Sequence, residues 1–347
     1  MHTYEIAGNL HMHTPFSDGE LYHADIAQAA AAAGLDFVAV TDHNVWVQGP
    51  EGYHDGVLVL VGEEVHDNRR QPHANHMLIY GADAEMCLHA ESPQGLIDAA
   101  RARGALAFLA HPIDPELRFI GEEALDWVDW DVEGYTGIEV WNYMSEFKGR
   151  IRNRLMALWY AFNPQHAIRG PFRQVLAIWD RLLAQGRRMA AIGGADAHGA
   201  TYSLGPISRT VFPYEYLFRC VNMHLLIERP LGGDAATDKQ SIYAALAHGR
   251  GWIGYDLLGS TRGFKFTARS MANAAGVGDD LKRAAAVTFE VETPAPSSMR
   301  LICAGRGVVA TSGGRRLKYT TADAGAYRVE VTRSGRGWIY SNPIYVR

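Results

Sequence analysis

The chain has 347 residues with 33 basic and 38 acidic side chains, a formal charge of -5 at pH 7. That length exceeds one typical domain, and so mild an acidic excess gives no electrostatic case for a nucleic-acid surface. Three widely spaced cysteines without a CxxC, Cys87, Cys220 and Cys303, argue against a disulfide framework, a thiolate metal site or cysteine catalysis.

The opening MHTYEIAGNL has no basic region followed by an apolar run, and no stretch approaches the roughly 18 apolar residues of a membrane span. A soluble, cytoplasmic protein without a membrane partner is the expectation. Residues 5–13 read as a strand, 23–34 (HADIAQAAAAAG) as an alanine-rich helix closed by glycine, and 35–43 as a second strand. Apolar runs of the same kind follow at 57–65, 76–82, 105–111, 137–142 and 188–198, with helical stretches at 93–103 and 171–185. This alternation predicts an α/β fold, either a parallel barrel or a doubly wound sheet.

Nearly every one of these strands carries a histidine or carboxylate at one end. His11 and His13, two residues apart on an extended strand, share a face and can hold one metal ion, with Asp18 on the loop beyond. His43, Glu64, His76, His111, Asp196 and His198 occupy comparable positions. A closed barrel gathers all its C-terminal strand ends at one mouth, whereas an open sheet gathers only those near its switch point. Seven chemically equipped ends therefore favour the barrel, which about 250 residues suffice to build. Nitrogen and oxygen donors without cysteine suit zinc, manganese or iron. Nine donors exceed the needs of one or two ions, and three ions bridged by Glu64 and a water or hydroxide account for them. A hydroxide available at neutral pH makes a serine or cysteine nucleophile unnecessary.

Residues 143–170 depart from the barrel pattern, with Lys148, Arg150, Arg152, Arg154 and Arg169 against one acid, Glu146. Two readings stand: a positively charged lid on the active-site side, or an amphipathic helix with Met156, Leu158 and Trp159 turned inward. Asp42 and Asn44 beside His43, and Glu139 and Asn142 at a strand end, either orient ligands and substrate or bond locally. A helix near 240–248 precedes a glycine-bearing linker at 252–263. Beyond it, alternation of period two, as in Val287, Phe289 and Val291, predicts a small antiparallel β-sandwich over 264–347, after a barrel spanning 1–256. No candidate ligand lies beyond His198. Removing the tail should therefore leave the metal ligands intact, and its expected role is structural or in homo-oligomer formation.

HMH with SDG, TDHN, GEEV, a histidine before an apolar strand, AHP, IEVWN and GGADAH occur in that order. Over residues 8–256 this series resembles the polymerase and histidinol phosphatase (PHP) family. The resemblance implies a distorted (β/α)7 barrel, two or three divalent transition-metal ions (Zn, Mn or Fe) and, most commonly, phosphoester hydrolysis. It carries ligand roles onto His11, His13, Asp18, His43, Glu64, His76, His111, Asp196 and His198, taking Glu64 over Glu63 and His76 over His73. WDRLLAQGRR and the final WIYSNPIYVR resemble the branch containing carbaryl-type carbamate hydrolases.

The function expected is thus a metal-dependent phosphoesterase acting on a small-molecule ester, with a metal-bound hydroxide held by Glu64, Asp196 and His198. A phosphate would call on Arg150, Arg152, Arg154, Arg169 and Arg209, with Asn142 nearby. A carbamate or carboxylic ester hydrolase is the alternative. The amidohydrolase superfamily fits less well, because no lysine sits at the end of an early strand and the closing unit is Asp-x-His. A non-catalytic binding module would be expected to have lost ligands. The remaining histidines, His66 and His224 among them, read as ordinary core or surface residues.

Overall fold

The computed structural model describes residues 3–117, 121–204, 207–283 and 285–347. Strand β1 (Tyr4–Asn9) leads into the HMH segment, helix α1 (His23–Ala33) follows, and β2 (Phe37–Val40) returns parallel to β1. Helix α1 ends where Gly34 adopts the left-handed conformation (φ 79°) and donates its N–H to the Ala31 carbonyl at 3.0 Å. A short strand β3 (Gly52–His54) pairs antiparallel with β4 (Val57–Val65), and β4 lies parallel to β2. All of β4 is buried, Glu63 and Glu64 included, and its apolar opening Val57–Val61 suits a strand covered on both faces.

Next come β5 (Met77–Tyr80), α2 (Pro93–Ala102), β6 (Leu106–Leu109) and β7 (Gly137–Asn142). Helices α3 (Tyr143–Arg150), α4 (Arg154–Phe162) and α5 (Arg173–Ala184) then lead to β8 (Ala190–Gly194). Strands β6, β7 and β8 are mutually parallel, but β5 runs antiparallel to both β4 and β6, which corrects the all-parallel reading. The reversal places the start of β5 beside its neighbours' ends. His76 therefore precedes its strand while the other donors follow theirs.

After a hairpin of β9 (Thr201–Leu204) and β10 (Ile207–Thr210) come α6 (Tyr214–Phe218), β11 (Val221–Ile227), α7 (Ala235–His248) and β12 (Gly251–Tyr255). Strand β11 pairs antiparallel with β1 and takes the edge that barrel closure would give to β8. The sheet is consequently not a closed barrel. Strand β8 packs on β11 and β12 without a ladder among the described residues, and one bridge, Met12 with Ala197, joins the two sides at the mouth. Side chains fill the rest of the seam. Asn9 accepts from Ala195 N at 3.1 Å, and the Asn342 amide bonds both backbone groups of Ala191.

The tail holds β13 (Lys265–Arg269), β14 (Ala274–Gly276), β15 (Asp280–Leu281), β16 (Val287–Cys303), β17 (Gly307–Thr321), β18 (Gly325–Arg333), β19 (Arg336–Ser341) and β20 (Ile344–Val346). Its pairings are antiparallel except for β15 with β20. In β16 the register with β17 shifts between Glu292 and Ser297, around Pro294 and Pro296, which have no N–H to donate. The tail has its own core, including Phe289, Leu301, Val329 and Trp338. It is not an independent sandwich, however, because β19 pairs with β12: Trp252 faces Ser341 and Ile253 faces Tyr340. Residues 252–255, read from sequence as the start of a linker, are a buried strand shared by both parts. Helix α4 also departs from expectation, since Leu155, Leu158, Trp159 and Phe162 face outward.

Candidate metal centre

The nine sequence-derived donors lie in one cluster, and five of them, all histidines, face the carboxylate of Glu64. Its Oε2 lies 3.0 Å from His11 Nε2, 3.3 Å from His13 Nε2 and 3.2 Å from His43 Nδ1. Its Oε1 lies 2.8 Å from His76 Nδ1 and 2.9 Å from His111 Nε2. The two oxygens of one buried group thus face different sets of imidazoles. Asp196 Oδ1 completes the first set, 3.4 Å from His11 Nε2 and 3.2 Å from His13 Nε2. A third set forms around Asp18, whose Oδ2 is 3.7 Å from His43 Nε2 and 3.4 Å from His198 Nε2. Glu63 points elsewhere, accepting from Met86 N at 2.7 Å, and the closest partner of His73 is Gln71.

Burial grades across the centre. His11, His13 and Glu64 are inaccessible, whereas the side chains of His43 and His198 are about a quarter exposed and that of Asp18 is half exposed. A small molecule would therefore approach from the side of Asp18. Burial alone would keep Glu64 protonated, but the imidazoles of His11, His43 and His76 hold it well below the usual carboxylate range. Burial likewise opposes the charge on His198, and Asp18 and Asp196 outweigh it, raising the ring to about 9. His13 and His43 are pushed down to about 4, chiefly by burial. Buried Nδ1 atoms of His13 and His111 have no hydrogen-bond partner among the described residues. Buried imidazole nitrogens left unpaired around two ionised carboxylates fit divalent metal ions, which need neutral imidazoles and charged carboxylates.

Several groups hold the donors in place. Glu139 Oε1 is 3.0 Å from His11 Nδ1, and its Oε2 accepts from His111 N at 2.9 Å, a pair of contacts that fixes the direction of the His11 ring. Asp42 accepts from Thr14 N and Oγ1 and from Ser17 Oγ, fixing the loop that carries Asp18 rather than touching His43. Asp196 sits in the left-handed region (φ 54°), clamped by His13 N to Ala197 O at 2.9 Å and Ala197 N to His11 O at 3.3 Å. The hydroxyl of Tyr214 lies between the carbonyl oxygens of His13 (2.7 Å) and His198 (2.9 Å).

The expected substrate residues fare differently. Asn142 donates to Glu139 Oε2 and Asp196 Oδ2, both at 3.1 Å, and its Oδ1 caps α3, so it braces the centre instead of facing substrate. Arg150 bonds Glu146 at 3.0 Å and, with Arg169, lines a separate groove. Arg152 and Arg154 are exposed at the start of α4. The side chain of Arg209 lies outside the described residues. Sequence reasoning missed His66, which stacks on His76 with ring centroids 4.1 Å apart. Its spacing of two from Glu64, the same signal as in His11 and His13, marks it as sharing that face. Lys148, read from sequence as one of the cations of the insertion, has its Nζ 2.7 Å from Asp114 Oδ2; burial opposes its charge, and Asp114, Glu122 and Asp196 outweigh it.

Residues 9–113 match the family model of the PHP domain. This PHP-matched segment contains seven of the nine donors, all except Asp196 and His198. An uncharacterized protein of Methanocaldococcus jannaschii is 28% identical over 154 residues, 39% of this chain and 80% of its own length. The chain is also similar, at 17% identity and a TM-score of 0.45, to the crystal structure of a two-domain protein from Bacteroides vulgatus. That protein contains a predicted PHP-like metal-dependent phosphoesterase, and the likeness covers 98% of this chain and 95% of the other.

Proposed function

We propose that the protein is a metal-dependent hydrolase of small-molecule esters, and specifically a phosphoesterase. Its ions would be held by His11, His13, Asp18, His43, Glu64, His76, His111, Asp196 and His198. The observation that carries this reading is Glu64, a single buried carboxylate whose two oxygens face two different sets of histidines. When bound, two or three divalent ions there would supply Lewis acidity and a hydroxide nucleophile at neutral pH.

The chain's own residues do the rest. Glu139 occupies Nδ1 of His11 and so turns Nε2 towards the centre. Asn142 links Glu139 to Asp196, tying β7 to the segment that follows β8. Asp18, His43 and His198 form the accessible side on which an ester would be placed. Lys148, held by Asp114 in the field of Asp196, is the cation we assign to an anionic ester in place of the arginines. No helix among the described residues is long and apolar enough to cross a membrane.

The engagement of Arg150 by Glu146 favours one alternative, a carbamate or carboxylic ester hydrolase at the same centre, because a neutral ester needs no guanidinium. An aryl phosphate and a naphthyl carbamate assayed on one metal-analysed preparation separate the two. Phosphate turnover whose kcat/KM falls about tenfold in Lys148→Met, roughly 1.4 kcal/mol of transition-state binding, is the expected result. Carbamate turnover alone would overturn the phosphoesterase, and a protein that takes up no metal would overturn the centre itself.

A further inference from the structure

A groove of about 920 Å3 lies where the insertion and α5 meet the tail sheet, away from the nine donors. Five arginines line it: Arg150, Arg169 and Arg173 from one side, Arg300 and Arg328 from the other. Among the described residues the acids lining it are Asp180 and Glu330, and both are taken up by Arg328. That guanidinium is almost wholly buried over the Trp179 ring and donates to both oxygens of Asp180 at 2.6 and 2.8 Å and to Glu330 at 2.7 Å. Arg300 stands off at 3.6 Å from Glu330.

Arg150 reaches Glu146 behind the wall at 3.0 Å, but its buried Nε has no partner. Glu146 already accepts from the backbone N–H groups of Arg169 and Gly170 and from Trp141 Nε1. Arg169 and Arg173 have exposed side chains and no carboxylate partner among the described residues. Five guanidiniums thus face three carboxylates, Asp180, Glu330 and Glu146, leaving an excess of two positive charges around the groove.

The scaffold is braced before any ligand arrives. Gly337 N donates to Arg169 O at 2.7 Å, and Arg336 Nε donates to Ile168 O at 2.8 Å. A Cβ on Gly337 would come within 2.7 Å of the Tyr340 hydroxyl and 3.1 Å of Gly170 Cα, so only glycine permits this approach. Between the guanidiniums run the apolar side chains of Phe172, Leu176, Ile302 and Val308. Paired cationic forks beside an apolar wall, in a space of this size, suit an anion with a phosphate at one end and a flat apolar body. Pro171 and Phe172 line both the groove and a small crevice that also touches His111 and Glu139.

We propose that this groove is a second binding site, for a phosphate-bearing small molecule the size of a nucleoside monophosphate, gripped by Arg169 and Arg173 and separate from the metal centre. The probe is adenosine 5′-monophosphate, titrated calorimetrically into the full chain stripped of metal with EDTA, so that binding at metal ions cannot contribute. The expected dissociation constant is about 1 mM or tighter, weakened at least about tenfold in the double variant Arg169→Ala, Arg173→Ala. Arg173→Glu, with an unchanged circular dichroism spectrum, should weaken it further. Asp196→Ala should leave it unaltered, and adenosine without the phosphate should bind at least about tenfold more weakly. Absence of binding at about 10 mM probe, retention of affinity in the arginine variants, or loss in Asp196→Ala alone would each overturn the proposal. None of these results depends on whether the metal centre hydrolyses esters.

Discussion

The side-chain amide of Asn342 bonds the backbone of Ala191 as a neighbouring strand would, accepting from its N–H at 2.7 Å and donating to its carbonyl at 2.9 Å. Tyr345 adds its hydroxyl to Met189 N at 3.3 Å. The edge of β8, two residues before Asp196, is thereby bonded by the turn between β19 and β20 and by β20 itself. Asn342→Leu should cost about 1–3 kcal/mol, the penalty for leaving buried backbone groups unpaired, and urea denaturation measures it. Deleting residues 264–347 should give an aggregated or metal-free protein, because β12 and β8 both lose their cover. A soluble, metal-loaded truncation would contradict this account and restore the independent tail expected from sequence.

Glu64→Gln should remove bound metal and turnover together, since the substitution replaces an ionised oxygen facing one set of histidines by an amide. Glu139→Gln acts through His11 and should lower metal affinity about 10- to 100-fold. Exposed His89→Ala should change neither. Metal content by mass spectrometry alongside kcat/KM distinguishes the three, and equal losses in all of them would mean that the centre is elsewhere.

Gly194 ends β8 against the centre. A Cβ there would lie 2.6 Å from His11 Cβ and 2.9 Å from Glu139 Oε1, neither of which can retreat from a packed strand. Gly194→Ala should destabilise the fold by about 1–3 kcal/mol and reduce metal loading. A variant with unchanged thermal stability and metal content would show that the strand can move.

His224 supplies the pH dependence. It is buried between Glu5 (2.8 Å) and Asp256 (3.0 Å), and although burial opposes its charge, Asp256 and Glu5 raise it to about 9. A histidine raised above its unfolded value of about 6.5 contributes stability that is fully present below that value and lost as pH climbs through about 9. Wild type minus His224→Gln should therefore show a difference in Tm that is largest near pH 6 and shrinks towards pH 10. A difference that grows with pH would contradict the charged state assigned here.

The side chains of the candidate centre could be picked out in the linear chain because each sits at a strand end or beside a turn with its own signature. Spacing of two puts His11 and His13 on one face, and convergence of strand ends brings the remainder to them. The same spacing would have included His66, two residues beyond Glu64. Sequence alone also gave the α/β alternation and the antiparallel character of the tail, since periods of 3.6 and 2 are local properties. Pairing is not local, and here the reading failed. Nothing in MLIY dictates that β5 should run antiparallel to β4. Val221–Ile227 has no motif that announces it as the partner of β1. Arginine partners were equally hidden: Arg150 and Arg328 pair with Glu146 and Asp180, 4 and 148 positions away. Long flexible cations pair with whatever carboxylates the fold brings within reach. Tertiary structure therefore decided that the sheet stays open, that the tail seals it through Asn342, and that the arginines stand around a groove of their own.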